Sequence, residues 1–282
     1  MSYPSNSNTN INSELYSALV TQAQYAAYEQ SVARQLVTVF DAPMNTGKTL
    51  QVPVWSAITA QNITDEAAAT AKETNTSSAT ITLTEHVVYH QITDMLKNSA
   101  YNDVFAQIGD QSGRAIAESL DTEVFSKFSS FSSDIGSDGT EMTVDTIFKA
   151  VATLRGRKLT GPFYAVVHPG CAYNIKKVLT ATTSYQNATM LGSEVLSGFY
   201  IGQVAGCQIF ESSLVAAGIS TSAVNAVFHP GALGHAMRGG IDMNSLYQPA
   251  ARATDLVLKA TAGAAVLQST FGVAITANKV ID

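Results

Sequence analysis

The segment Leu50-Gln-Val-Pro-Val-Trp55 and the alternating run Ala79-Thr-Ile-Thr-Leu-Thr84 indicate two β-strands. Between them, residues 56–78 are rich in Ala, Thr, Ser and Asn and nearly lack large apolar side chains. Two strands around such a segment predict a long hairpin that projects from the body of the protein. Pro53 places the first of these strands at a sheet edge. Because the hairpin buries little of its own surface, we expect it to lie on a neighbouring subunit.

The chain before the hairpin predicts an arm. Residues 1–13 are polar and contain one proline, which is typical of a flexible segment. Asn12 or Ser13 can cap a helix that reaches about residue 31. Its apolar face is small and suits packing against a neighbour better than an independent core: Leu15, Leu19, Ala23 and Ala26. Residues 36–54 are β-like around a turn at Met44–Gly47.

The chain after the hairpin predicts a long helix over 102–131. Its apolar side chains recur near helical spacing: Val104, Ile108, Ala115, Leu120, Val124 and Phe128. Residues 132–139 carry strong helix-breaking chemistry. Thr143 is then expected to cap a second helix that stops at Gly156, and a strand follows over 163–167.

A short sequence pattern occurs twice in the rest of the chain. Val166-Val-His-Pro-Gly170 and Val227-Phe-His-Pro-Gly231 each indicate a strand, a proline turn and a helix start. The second is expected to lead into a helix over 232–237. This repeated pattern predicts a compact α/β subdomain over 159–240, with two short strands about Gly206. Residues 252–281 alternate and predict further strands.

Composition favours an assembling subunit over a charged soluble monomer. The 282 residues suit one large domain or two closely packed subdomains, and 46% are hydrophobic. Only 13% are charged, about half of the usual ~25%. The net charge of −6 and the scattered basic residues argue against tight nucleic-acid binding. Two cysteines do not make a disulfide framework, and no secretory signal or membrane span is visible, so we expect a cytoplasmic protein.

The order of these elements resembles the tailed-bacteriophage major capsid proteins of the Hong Kong 97 type, as do the phrases VVHPGCAYNI and VFHPGALGHAM. The resemblance implies an α+β fold with an N-terminal arm, an extended β-hairpin loop, a long spine helix, and peripheral and axial subdomains. The parts would be an arm over 1–35, strands and extended loop over 36–95, the spine helix and first part of the peripheral domain over 96–158, the axial domain over 159–240, and return strands of the peripheral domain over 241–282.

The resemblance also implies a function. Subunits would form homo-pentamers and homo-hexamers that close an icosahedral head around double-stranded DNA, without sequence-specific binding. Assembly would take place in the host cytoplasm with a scaffolding protein and a portal, and a cement protein could join the virion. No catalytic group, cofactor, metal or membrane is expected. The expected interface residues lie in the loop: Trp55, Asp65, Glu66 and Lys72. Some relatives crosslink a loop lysine to an asparagine, and Lys72 is the one obvious candidate here.

Several motifs suggest chemistry, but a structural role is the stronger interpretation of each. Ala42–Thr49 resembles a phosphate-binding loop, but it lacks the first glycine, and a strand-like run follows where a helix is required. His86 and His90 have zinc-site spacing for a helix, whereas their β-branched neighbours favour a strand. His168 and Cys171 could pair as base and nucleophile, yet His168 and His229 are better explained as strand-end caps.

Paired carboxylates favour salt bridges over catalysis. Asp65 and Glu66 lie in the loop, while Asp121 and Glu123 stand two apart on a helix and face different directions. We therefore expect the helical pair to be solvated or to bridge subunits.

Two alternatives remain open from sequence. An encapsulin-type nanocompartment subunit would share the fold and enclose enzymes in place of DNA. An α/β hydrolase or NTPase would be a monomer, with nucleotide turnover that Lys48→Ala abolishes.

Overall fold

Strands dominate the computed structural model, which describes residues 31–45, 47–55, 58–63, 65, 68–99, 104–180, 203–215 and 221–281. The predicted arm and its helix therefore lie almost wholly outside the described residues. The helices are α1 (Ala33–Leu36), α2 (Asp94–Ser99), α3 (Val104–Ser126), α4 (Val144–Gly156) and α5 (Pro169–Thr180). The strands are β1 (Thr38–Asp41), β2 (Thr49–Trp55), β3 (Thr76–Thr82), β4 (Thr84–Thr93), β5 (Asp134–Gly136), β6 (Phe163–Val167), β7 (Gln203–Val204), β8 (Cys207–Glu211), β9 (Ser222–Phe228), β10 (Leu233–Gln248), β11 (Ala253–Val266) and β12 (Gly272–Asn278).

A four-stranded sheet, in the order β1-β10-β11-β4, carries the long helix α3 on one face. Strand β4 alternates, so that every second side chain faces the helix. The seam between the helix and the sheet is apolar and closed to solvent: Ile92, Ile116, Ala117, Leu256, Leu258 and Ala260. The predicted spine helix is confirmed, and the 3-10 turn Lys127–Ser130 extends it.

A six-stranded sheet, in the order β5-β12-β9-β6-β8-β7, forms the second core. The end of the spine helix packs into this core, because Phe125 and Phe128 are fully buried. Phe128 stacks on Phe131 and makes a tilted ring contact with Phe228. Helix α4 covers the sheet with one apolar stripe, as predicted: Ile147, Ala150, Val151 and Leu154. Helix α3 therefore holds both cores together.

The predicted hairpin forms a third, two-stranded sheet of β2 and β3. It is rooted where Ile81 and Leu83 enter a small apolar cluster with Ala236, and the Leu83 amide bonds the Lys48 carbonyl at 2.8 Å. At this root the β3 backbone crosses directly over β11, because a Cβ on Gly263 would lie 2.1 Å from the carbonyl oxygen of Thr82. The crossing fixes the direction in which the hairpin leaves the body.

The predicted helix over 232–237 is wrong. After one 3-10 turn, Pro230–Ala232, the chain continues as β10, which pairs with β1 on one side and with β11 on the other. These partners lie far away in sequence and satisfy the backbone of Leu233–Met237, which a local pattern cannot reveal.

Two smaller expectations also need correction. Residues 132–139 do not only end a helix, since β5 pairs in parallel with β12. Helix α4 begins after Thr143 as predicted, but the Thr143 side chain makes no capping bond within the described residues; its carbonyl accepts from Thr146 Oγ1 at 2.5 Å.

Strand pairing also crosses the expected subdomain boundaries. Strands β5 and β12 come from segments assigned to the peripheral domain, yet both belong to the sheet of β6, β8 and β9. The division of the chain into subdomains stays a prediction.

The backbone crossing at the hairpin root gives a stability test. Gly263→Ala places a methyl group against the Thr82 carbonyl, so we expect the free energy of unfolding to fall by about 1–3 kcal/mol. Gly156→Ala is the matched control, because no atom lies within 4 Å of the added Cβ and the residue ends a helix. Chemical denaturation of unassembled subunits checks both. Equal stabilities of the two variants would contradict the crossing.

Candidate assembly surfaces

The hairpin has two chemically different faces. In the β2–β3 register, Leu50 lies opposite Ile81 and Val52 opposite Ala79, so these pairs share the face turned towards the body. Trp55 lies opposite Thr76 on the other face and is 65% exposed. An exposed tryptophan at the end of an edge strand is typical of a binding surface.

Beyond the paired strands, the described part of the tip is held by side-chain bonds across the loop. Lys72 Nζ donates to the carbonyl and hydroxyl oxygens of Thr59, each at 3.0 Å, and Gln61 Nε2 donates to the Thr70 carbonyl at 3.1 Å. Ile58 and Ile63 are exposed. The tip is therefore an extended ribbon with apolar side chains in solvent.

The structure describes three of the four expected loop residues. Trp55, Asp65 and Lys72 are exposed, which an interface role requires, whereas Glu66 lies outside the described residues. Their role at an interface stays a prediction.

A second surface, which sequence analysis missed, is the face of the four-stranded sheet opposite the spine helix. This open face exposes Val87, Tyr89 and Leu246 by more than half of their surface. Beneath them Asp255 is buried, and it accepts from the Tyr89 hydroxyl at 2.9 Å and from the Gln91 amide at 3.0 Å. The alternation in His86-Val-Val-Tyr-His90 was the signal, because it places histidines on one face and Val87 and Tyr89 on the other.

The two histidines of β4 fasten the strand to the spine helix. His86 Nδ1 is hydrogen-bonded with Ser119 Oγ at 2.7 Å, and its Nε2 with Glu123 Oε2 at 3.1 Å. His90 Nε2 is hydrogen-bonded with Ser112 Oγ at 3.0 Å. The predicted strand is confirmed, and the rings hold polar helix side chains in place. The part of the chain that the structure describes has no group of three or more His, Cys, Asp or Glu that could hold a metal ion.

Both helical carboxylates act within the subunit, so the expectation of a solvated or inter-subunit role is wrong. Asp121 is buried and accepts from Ser31 Oγ at 2.7 Å and from the Val32 amide at 2.9 Å. Burial raises its pKa, against the lowering effect of these bonds. Glu123 Oε1 accepts from the Ala264 amide at 3.2 Å. The two carboxylates anchor the start of the described chain and β11 to the spine helix.

The two His-Pro-Gly sequences use the same local bond. His168 Nδ1 accepts from the Gly170 amide, and His229 Nδ1 accepts from the Gly231 amide, both at 3.1 Å. Each ring caps the turn that follows its strand, as predicted. Cys171 is buried against the Ala277 and Asn278 carbonyls, and burial raises the pKa of its thiol. A thiol held protonated beside an engaged histidine is a poor nucleophile.

The segment that resembles a phosphate-binding loop forms a turn between two strands. Asn45 and Gly47 have positive φ angles of 64° and 78°, and Thr49 begins β2. No helix N-terminus follows, so the loop lacks the dipole that such a site needs. Within the described ranges, no helix is long and apolar enough to cross a membrane.

The Glu123 contacts predict a pH dependence. Burial alone would raise its pKa, but the bonds from His86 and the Ala264 amide, with the positive charge of His86, bring it below the usual 4.5. A lowered folded pKa adds stability above pH 4.5 that disappears as the pH falls through the folded value. We expect Glu123→Gln to lower the free energy of unfolding by about 1–2 kcal/mol at pH 7 and by less at pH 4.

Urea unfolding of unassembled subunits at the two pH values measures this difference. Glu118→Gln is the control, because Glu118 is exposed on the same helix. A Glu123→Gln deficit that stays constant with pH would contradict the expected effect.

The fold is similar to known shell proteins. It matches the capsid structure of Cyanophage P-SCSP1u with a TM-score of 0.68 and 16% identity over 86% of each chain. It matches a chain of Mycobacterium phage Che8 with a TM-score of 0.67 and 16% identity, over 87% of this chain and 91% of that chain. It also matches a virus-like particle from Pyrococcus furiosus with a TM-score of 0.61 and 13% identity, over 93% of this chain and 99% of that chain. At such identities these matches show the fold alone.

The family of the chain is shown by its sequence. No curated protein sequence matches the chain significantly. A family model described as phage capsid protein matches residues 76–244, more than half of the chain. That range runs from β3 through the spine helix to β10. The α+β fold of the Hong Kong 97 type is confirmed, and the chain belongs to the phage capsid protein family, as a structural protein of a bacteriophage head shell.

Proposed function

We propose that this chain is the major capsid protein of a tailed phage, which assembles into homo-pentamers and homo-hexamers of an icosahedral head around double-stranded DNA. The observation that carries the proposal is the hairpin, which leaves the body at Gly263 and exposes Trp55, Ile58 and Ile63 to solvent. A monomer gains nothing from ordering such a ribbon, whereas a lattice buries it.

The open face supplies a surface that the hairpin of a neighbouring subunit can cover. Val87, Tyr89 and Leu246 present an apolar patch on a sheet whose other face is already covered by α3. Both surfaces carry charges of both signs, with Asp65 and Lys72 on the hairpin and Glu85 and Lys259 on the open face, so a second copy's hairpin can cover the patch with opposite charges paired. We infer that Trp55, Asp65, Glu66 and Lys72 of one subunit lie against its neighbours.

The remaining partners follow from the role of a head subunit. We infer that a scaffolding protein guides assembly in the host cytoplasm and that a portal and a cement protein join the head. The shell encloses the DNA without recognising its sequence. The net charge of −6 agrees with this, because tight binding to DNA phosphates requires basic residues. The subunit acts without a cofactor and without enzymatic activity. His168 accepts a hydrogen bond from the Gly170 amide, and burial raises the pKa of the Cys171 thiol. Both observations support the proposal that the subunit is not an enzyme.

A nanocompartment shell is the second candidate, because the fold also matches a virus-like particle from Pyrococcus furiosus. The contents of purified particles distinguish the two: packaged double-stranded DNA with a portal for the phage head, or protein cargo for the compartment.

Removal of the hairpin tip tests the proposal. We delete residues 58–75 and change Ser56-Ala57 to Asn-Gly, which closes β2 and β3 with a two-residue turn. We expect folded subunits of unchanged core stability that no longer form closed shells, as judged by negative-stain microscopy and sedimentation. Glu73→Gln is the control for loss of charge alone, because Glu73 is exposed in the same segment, and it should assemble normally. Normal particles from the deleted chain would refute the assembly role of the tip.

A charge on the open face tests the receiving surface. Val87→Glu places a carboxylate opposite Lys259, so the isolated subunit should keep its stability within about 0.5 kcal/mol. In a shell the new charge is buried against a neighbour, and we expect the yield of closed particles to fall at least tenfold. Glu85→Gln, on the same face of β4, should assemble normally. Wild-type yields from Val87→Glu would show that this face stays in solvent.

A further inference from the structure

A small cavity lies where the start of the described chain crosses the spine helix. Its volume is about 20 Å³, enough for one water molecule. Ser31 and Arg34 form one wall, Leu120 and Asp121 of α3 form the second, and His235 and Ile241 of β10 form the third. The cavity is therefore closed only while the segment Ser31–Leu36 stays docked on the helix.

His235 is a buried imidazole that no function described above uses. It is 3% exposed, and its Nδ1 atom has no hydrogen-bond partner among the described residues. On its own sheet it lies between Val39 of β1 and Ala264 of β11, which carry no charge. An imidazole in this position is tolerated as the neutral form, because a buried cation without a partner is costly.

The charged groups around His235 come from three elements. Arg34 approaches from α1, Asp121 and Glu123 from α3, and His86 from β4. Burial lowers the pKa of His235 most, and Arg34 and His86 lower it further against the opposing charge of Glu123, to about 4. Asp121 acts in the opposite sense, because burial raises its pKa and favours the docked state as the pH falls.

The direction of the pH dependence follows from which of the two states, docked or undocked, binds the proton more tightly. The pKa of His235 is about 4 when docked and returns towards 6.5 when the segment lifts and water enters. The undocked state therefore binds a proton that the docked state does not, and its population grows as the pH falls from 6.5 towards 4.

We propose that His235 and the segment Ser31–Leu36 form an acid-sensitive latch, which releases the N-terminal part of the chain from the spine helix under mildly acidic conditions. The latch depends on contacts within one subunit, so it can fail while the assembly proposal stands.

Hydrogen exchange of the Val32 and Ala33 amides, which donate to Asp121, reports the opening directly. In unassembled full-length subunits, the opening equilibrium should rise severalfold between pH 7 and pH 5, up to the roughly twentyfold that His235 alone would give, because Asp121 opposes it. The measured rates are corrected for the intrinsic exchange rate. Amides of the core strand β9 should show no comparable rise, because the opening is local. A wild-type protein without this difference would overturn the proposal.

His235→Gln removes the titrating group and keeps a polar side chain, so the rise should drop below threefold. His90→Gln is the matched control, because His90 also faces the spine helix from the same sheet but lies outside the cavity lining. It should keep the full rise. A rise in His235→Gln equal to that of the wild-type protein would assign the effect to another group and reject the latch.

Discussion

The antiparallel pairing of β4 with β11 is the interaction on which the rest of the structure depends. Ten consecutive residue pairs, from Ala253 with Thr93 to Ala262 with Thr84, set the register. At one end β4 continues through Leu83 into the hairpin, and at the other it leads into α2 and the spine helix. A shift by one residue would turn His86 and His90 away from the helix and bury the open face in its place. One register thus positions the hairpin, the spine and the outer patch together.

Local patterns predicted the parts whose partners are near in sequence or whose periodicity is strong. The spine helix, the hairpin strands, helix α4 and the two histidine turns were all visible, because spacing and capping chemistry act within a few residues. The predicted helix over 232–237 failed because β10 is held by β1 and β11, which lie far away in the chain. Strand β5 was missed for the same reason, since three residues acquire strand geometry only from β12.

The candidate surfaces were predictable to a smaller extent. The polar stretch between β2 and β3 marked the hairpin, because a segment with so few large apolar side chains cannot form a core of its own. The open face was missed because Val87 and Tyr89 are typical of core strands, and only the position of the spine helix shows which face is covered. Asp121 was misplaced because sequence spacing shows where it lies on the helix but not that Ser31 and Val32 approach it.

All five histidines of the chain have structural surroundings, which bears on how a subunit with so few charges holds its shape. Two fasten β4 to the spine helix, two cap turns after strands, and one is sealed under the N-terminal segment. In each place an imidazole provides hydrogen bonding or volume without the desolvation cost of a permanent charge. The hairpin and the open face in turn expose apolar side chains, among them Trp55, Val87 and Tyr89. In the proposed assembly, copies of the chain cover these surfaces, and the burial adds to the stability of each subunit.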